Sequence, residues 1–258
     1  MKKLFSKILL ICIIQGFLFA NAQFRNRDRQ DRLEGFDGAT YSWGFFLNLN
    51  NYDYKIVLNP KYGMYNGKNL VMSKPSYSFG AGLIGKMRLD DHFDLRIEPG
   101  LQFVERELTF RTQSNDQYAT STTNPFTPLV LSASDTIRRV KSTYVDVPIL
   151  LEFHGDRWYN SRPYMAAGIN YMVNLQSNSI SADDNQQGIF RSTTHNFAWS
   201  AEVGIQFYFS RFKLTPAFRG TFAFNNELVA DNPGTPPYWA AAMSTMQTRA
   251  LMFVLKFE

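Results

Sequence analysis

The chain has 258 residues, 27 basic and 22 acidic side chains, one cysteine, and an aromatic content of 16% with 23 Phe and 13 Tyr. Three of the bases (Lys2, Lys3 and Lys7) fall in an N-terminal leader, and the remaining 24 against 22 acids exclude the charge excess of a nucleic-acid binder. Cys12 is also in that leader, which excludes disulfides and thiolate metal centres from the rest of the chain.

The leader is "MKKLFSKILLICIIQGFLFANAQ": lysines, an apolar run of about a dozen residues, then Ala20-Asn21-Ala22, the pattern of a secretory signal over 1–22 cut before Gln23. The run is short for a bilayer span, and Ile11 stands before Cys12 where a lipoprotein needs a small residue. Residues 23–38 follow as a charged periplasmic tail. In "RNRDRQDRLEGFD", Arg25, Arg27, Arg29 and Arg32 alternate with acids, and no apolar period emerges. That is the composition of a disordered segment, with the four arginines as candidate contacts for a partner.

From residue 39 the pattern changes to alternation at the length of a membrane strand. "ATYSWGFFLNLN" sets Tyr41, Trp43, Phe45, Leu47 and Leu49 against mostly polar residues; "SYSFGAGLIGKMRL" and "FDLRIEPGLQF" repeat the pattern. "TYVDVPILLEF", "PYMAAGINYMVNL", "NFAWSAEVGIQFYF", "FKLTPAFRGTF" and the closing "LMFVLKFE" bring the count to eight. The connections 51–75, 111–138, 176–194 and 225–245 are long, and 90–92, 154–161 and 210–211 are short. No later segment is a helical span. Residues 39–258 therefore predict an all-β, eight-stranded antiparallel transmembrane barrel in the outer membrane, with long outer loops, short periplasmic turns and both termini periplasmic. It is expected to be monomeric, with membrane lipid as its surroundings.

An eight-stranded barrel has room only for side chains inside. The inward positions predict Lys86, Arg88, Arg96, Lys213 and Arg219 with Asp94, Glu98, Asp146, Glu152 and Glu202, a balanced mixture that reads as a structural ion-pair network. Phe257 is either an assembly signal for the barrel-assembly machinery or an aromatic of the interfacial girdle. Catalysis is not expected: His195, in "STTH", is the one histidine near an outer loop and lacks a flanking acid. "SADDNQQG" lacks the spacing of a calcium loop, and no cofactor or metal is expected.

The stretches "WGFFLNLNNYDYKI", "MRLDDHFDLRIEPGLQFVERELTF", "VKSTYVDVPILLEF" and "FKLTPAFRGTFAFNNELVADN" with "MQTRALMFVLKFE" resemble the PorT/SprT family of Bacteroidetes. That resemblance implies an accessory or assembly component of type IX protein secretion, and of gliding motility where present, whose partners are other components of that system. It implies no catalytic residue. Within matched stretches, Glu105, Arg106 and Glu107, and Asn225, Asn226 and Glu227, are candidates for packing the outer loops or meeting a partner. The alternative is a stand-alone structural or adhesive barrel; a lipid-modifying or proteolytic barrel enzyme ranks third.

Overall fold

The computed structural model describes residues 32–33, 35–60, 63–65, 67–110, 136–181, 190–230 and 240–258. The leader, Arg25, Arg27 and Arg29 of the tail, most of the 111–138 connection and Asp183 and Asp184 lie outside them. Leu33–Glu258 forms one compact unit. Its strands are β1 (Tyr41–Leu58), β2 (Met64–Tyr65), β3 (Lys68–Asn69), β4 (Val71–Arg88), β5 (Phe93–Ile97), β6 (Gly100–Phe110), β7 (Ile137–His154), β8 (Ser161–Asn174), β9 (His195–Tyr208), β10 (Lys213–Ala223) and β11 (Met243–Phe257). Strands β2 and β3 make a small separate hairpin in the first long connection.

The remaining strands form one antiparallel ring in which β1 pairs with both β4 and β11. Strands β5 and β6 are one strand in all but hydrogen bonding. Pro99 has no N–H to give the ladder, yet the register on β7 is unbroken from Phe93 opposite Phe153, through Gly100 opposite Asp146, to Thr109 opposite Ile137. The ring thus has eight staves, as the alternation predicts. Among the described residues no helix is long and apolar enough to cross a membrane.

The stagger of the ring can be followed from partner to partner. Trp43 faces Gly85, then Ile97, Ile149, Ile169, Trp199, Phe222 and Arg249, and the circuit returns to β1 at Asp53, ten residues beyond its start. With strands about 4.8 Å apart and about 3.3 Å per residue, a stagger of that size tilts the staves by roughly 40°. Eight strands at that tilt leave a lumen that side chains fill.

The two faces separate as the sequence alternation requires. On β11, Leu251 is 68% exposed, while Met252, Val254 and Lys256 are buried. On β9, Phe197, Trp199, Val203, Ile205 and Phe207 are exposed between buried Asn196, Ala198, Ser200, Glu202 and Gln206. The outward band is rimmed by aromatic rings. At the short-turn end Phe45 stacks on Phe257 at 5.0 Å, and Phe93 meets Phe153; toward the other end Trp199 stacks on Phe222, and Phe79 meets Phe103. Such girdles mark the two membrane interfaces.

Three of the four long connections are shorter than the sequence suggests, the first by the most. Strand β1 runs on to Leu58 and β7 begins at Ile137, each 18 residues long, so the outer end of the barrel stands above the apolar band. There the outward positions turn polar (Asn51, Asp53 and Lys55 on β1), and alternation fades although pairing with β11 continues to Leu58.

Phe253 lies inside the apolar band opposite Leu49 and Phe218. Phe253→Arg is expected to lower stability by about 2–4 kcal/mol, the cost of an arginine on the lipid face near mid-bilayer. Denaturant unfolding in lipid vesicles measures this.

Candidate functional site

The lumen holds a dense cluster of buried charge. Glu98 sits where Pro99 interrupts the third stave, and its side chain points inward and is fully buried. It takes Lys256 Nζ at 2.9 Å, stands 2.8 Å from Arg96 Nη2, and also accepts from Arg219. Glu202 on β9 accepts from Arg219 Nε at 2.8 Å, from Lys256 and from the Tyr164 hydroxyl at 2.7 Å. Glu152 on β7 accepts from Arg96 and from Gln206 Nε2. Three cations, Arg96, Arg219 and Lys256, thus face three carboxylates, Glu98, Glu152 and Glu202, at the centre of the lumen.

Toward the short-turn end a second layer follows. Lys86 donates to Asp94 at 3.1 Å; His154 stands 3.3 Å from the same carboxylate, and Lys213 pairs with Glu258 at 2.7 Å. Arg88 departs from the expected interior set. It closes the β4–β5 turn, where its guanidinium pairs with the exposed Asp91, because β4 has there reached the end of the lumen. Asp146 is buried but is held by the Asn170 amide at 3.0 Å rather than by a cation, and Asn170 accepts in turn from Ser200.

The mouth at this end is covered by the turn Phe36–Gly38. Asp37 accepts from the Tyr208 hydroxyl at 2.8 Å and stands within 3.6 Å of Arg157 and Arg162, while the Phe36 ring lies 5.0 Å from Lys213 Nζ. This corrects the expectation of a free tail through residue 38. The turn sits inside a charged stretch, and no period marks it off. Arg32 at the start of the described residues is exposed.

At the outer end of the lumen stands Arg106, which is buried. Its guanidinium stacks 3.8 Å from the centre of the Tyr54 ring and donates to Thr248, Ser142 and Tyr144. Glu227 dips into the same space from the β10–β11 connection, where its carboxylate accepts from the Thr248 N–H at 2.8 Å and from Tyr144. Burial raises the Glu227 carboxyl above its ordinary range against the opposing pull of Arg106. Asn225 accepts from the Phe197 N–H, and Asn226 accepts from the Leu228 and Met246 N–H groups, so this segment is pinned across the barrel mouth. Glu105 and Glu107 point the other way, outside the barrel, with Glu107 4.0 Å from both Lys74 and Arg139.

Sequence reasoning left Lys256, Tyr164 and Glu258 out of the interior set. The parity of "LMFVLKFE" carries the signal, since Lys256 falls on the face opposite Leu255 and Phe257. The same parity, applied to "VERELTF", turns Arg106 inward with Gln102 and Val104 and turns Glu105 and Glu107 outward. Phe257 is part of the aromatic rim through its stack on Phe45. His195 points outward, with Nδ1 2.7 Å from the Tyr171 hydroxyl. Among the described residues no group of His, Cys, Asp or Glu is arranged to hold a metal ion.

Glu202→Ala is expected to cost about 3–5 kcal/mol, because it leaves buried Arg219 and Lys256 short of a counter-charge. Arg88→Ala, at an exposed pair, should stay within about 1 kcal/mol. Denaturant unfolding of both variants in the same vesicles gives the comparison. Asp37→Ala should leave the barrel folded and raise amide hydrogen exchange at Phe36–Gly38.

A family model described as an outer membrane protein beta-barrel domain matches residues 21–229. No curated protein sequence matches the chain. Among solved structures, Neisserial surface protein A is similar at 9% identity over 84% of this chain and 98% of its own, with a TM-score of 0.40. OprG from Pseudomonas aeruginosa is similar at 11% identity over 83% and 93%, with a TM-score of 0.40. Ail, the attachment invasion locus protein of Yersinia pestis, has 7% identity over 85% and 99%, with a TM-score of 0.36.

Proposed function

The chain belongs to the outer membrane protein beta-barrel domain family, and from that premise we propose that it is a closed, monomeric barrel that works through contacts at its surface and neither conducts solutes nor catalyses a reaction. The observation that carries this reading is the lumen. Buried Arg96, Arg219 and Lys256 are locked to buried Glu98, Glu152 and Glu202 across the barrel. Phe46 fills the space beside Gly82 and Gly100, and Asp37 and Glu227 reach in from the two ends. A stand-alone structural or adhesive barrel follows from this most directly. The outer end of the barrel, which rises above the membrane band on β1 and β7, supplies the contact surface.

A second reading, an accessory part in type IX protein secretion, rests on the sequence stretches that resemble the PorT/SprT family, "VERELTF" and "FNNELVADN" among them. Arg106 and Glu227 from these two stretches meet around Tyr144 at the outer mouth, so they support loop packing there. Glu105, Glu107 and the arginine tail remain as partner contacts under this reading.

Reconstituted in a planar bilayer, the chain should give no stable single-channel steps; steady conductance would contradict a closed lumen. A clean deletion strain separates the two readings. Normal export of type IX cargo with loss of surface attachment fits the stand-alone barrel, and loss of export with the other outer-membrane barrels intact fits the secretion part.

A further inference from the structure

On the outside of the barrel, the upper ends of β7 and β8 leave a gap. Strand β8 ends at Asn174, opposite Tyr144, while β7 runs on to Ile137 with β6 as its one strand partner among the described residues. The resulting cleft is lined by Arg139, Lys141, Leu175, Gln176, Asn178 and the buried Phe190, among others. Nothing in the closed-lumen reading uses it.

Its place along the strand is informative. Up the outward face of β7 the side chains run Phe153, Leu151, Ile149, Val147, Val145, Thr143, Lys141 and Arg139, so the apolar run stops at Val145 and two exposed cations follow. Beside it, β8 and its continuation present Ile169, Tyr171, Val173 and Leu175. Leu175 is 61% exposed. A lipid chain lying along Val145, Val173 and Leu175 therefore brings its headgroup to the level of Lys141 and Arg139. Acids are close: Glu107 stands 4.0 Å from both Arg139 and Lys74, and Glu105 faces Lys141 across the β6–β7 pair. Among the described residues, three cations nonetheless oppose two carboxylates on this patch. The Arg139 and Lys74 side chains are 70% and 75% exposed, so neither is consumed by its ion pair.

We infer that this cleft binds the phosphorylated headgroup of a lipid in the outer leaflet. Arg139 and Lys141 meet the phosphate, the guanidinium as a fork and the ammonium as a point charge. Gln176 and Asn178 complete the polar wall, with Asn178 Nδ2 donating to the Gln176 carbonyl at 3.3 Å, and Leu175 lies along the acyl chain. The inference stands apart from the choice between adhesion and secretion.

The test is native mass spectrometry of the full barrel in detergent with diphosphorylated lipid A, and with the same lipid A after removal of its phosphates. The phosphorylated form should be retained at least tenfold better. That preference should vanish in the double variant Arg139→Ala/Lys141→Ala and persist in Lys55→Ala, which removes an exposed cation at the outer end of β1. Heat-modifiable gel migration verifies folding, and Arg139→Glu/Lys141→Glu repeats the test with the charge reversed. Equal retention of the two lipids, or an unchanged preference in both double variants, overturns the proposal. Displacement of the lipid by an equal concentration of inorganic phosphate would reassign the cleft to the free anion and overturn the lipid as its occupant.

Discussion

Inside hydrocarbon a backbone N–H or C=O without a partner costs several kcal/mol, roughly, because no water is there to replace it. A strand in a membrane is therefore stable only in a sheet that has no edge, and everything else in this molecule depends on the seam where β1 meets β11. That seam runs from Phe45 opposite Phe257 to Leu58 opposite Met243. It is fastened at one end by the Phe45–Phe257 stack and toward the other by the pair of Arg249 with Asp53. The stagger with which it closes, Trp43 to Asp53, sets the tilt of the staves, and the tilt sets how wide the lumen is.

A lumen of that width has to be filled, and this chain fills it with charge. Buried ion pairs are weak evidence for stability, since desolvation offsets most of their attraction. What they supply here is discrimination between faces. A one-residue slip of β9 would carry Glu202 into lipid and Val203 into the lumen, because side chains alternate with period two. The same slip in β10 would do so for Arg219, and in β11 for Lys256. Each slip would also strand the charges left behind on the other strands. The network couples five staves through Glu98, Glu152, Glu202, Arg219 and Lys256, so the penalty for a wrong register is shared by the whole ring.

Much of this was legible from the residues. The lipid-facing segments were, because water-free surroundings on one side and a polar lumen on the other write a period of two into every strand. The limits of β1 and β7 were not: above the membrane both faces are polar enough that alternation stops while hydrogen bonding goes on, as at Asn51, Asp53 and Lys55. The interior list was largely visible by parity, but which cation meets which carboxylate was not, since Glu98 finds Lys256 and Arg219 only through the stagger of the closed ring. Arg106 and Glu227 belong to distant stretches that read as outer-rim contacts, and both prove to be buried beside Tyr144. Asp37 was hidden for another reason. One acid among many in a charged segment carries no mark of the arginine-lined mouth that receives it.

The central claim, that the inward face lines a filled and closed interior, is tested most directly by thiol reactivity in a chain whose Cys12 is absent. Ser200 is fully buried and Ala201 beside it is exposed to the membrane side. With Ser200→Cys, a near-isosteric change, a small water-soluble maleimide should leave the thiol of the folded barrel unmodified and react once the barrel is unfolded. Rapid labelling of the folded Ser200→Cys protein would show that water and solutes reach the lumen, and would contradict the account.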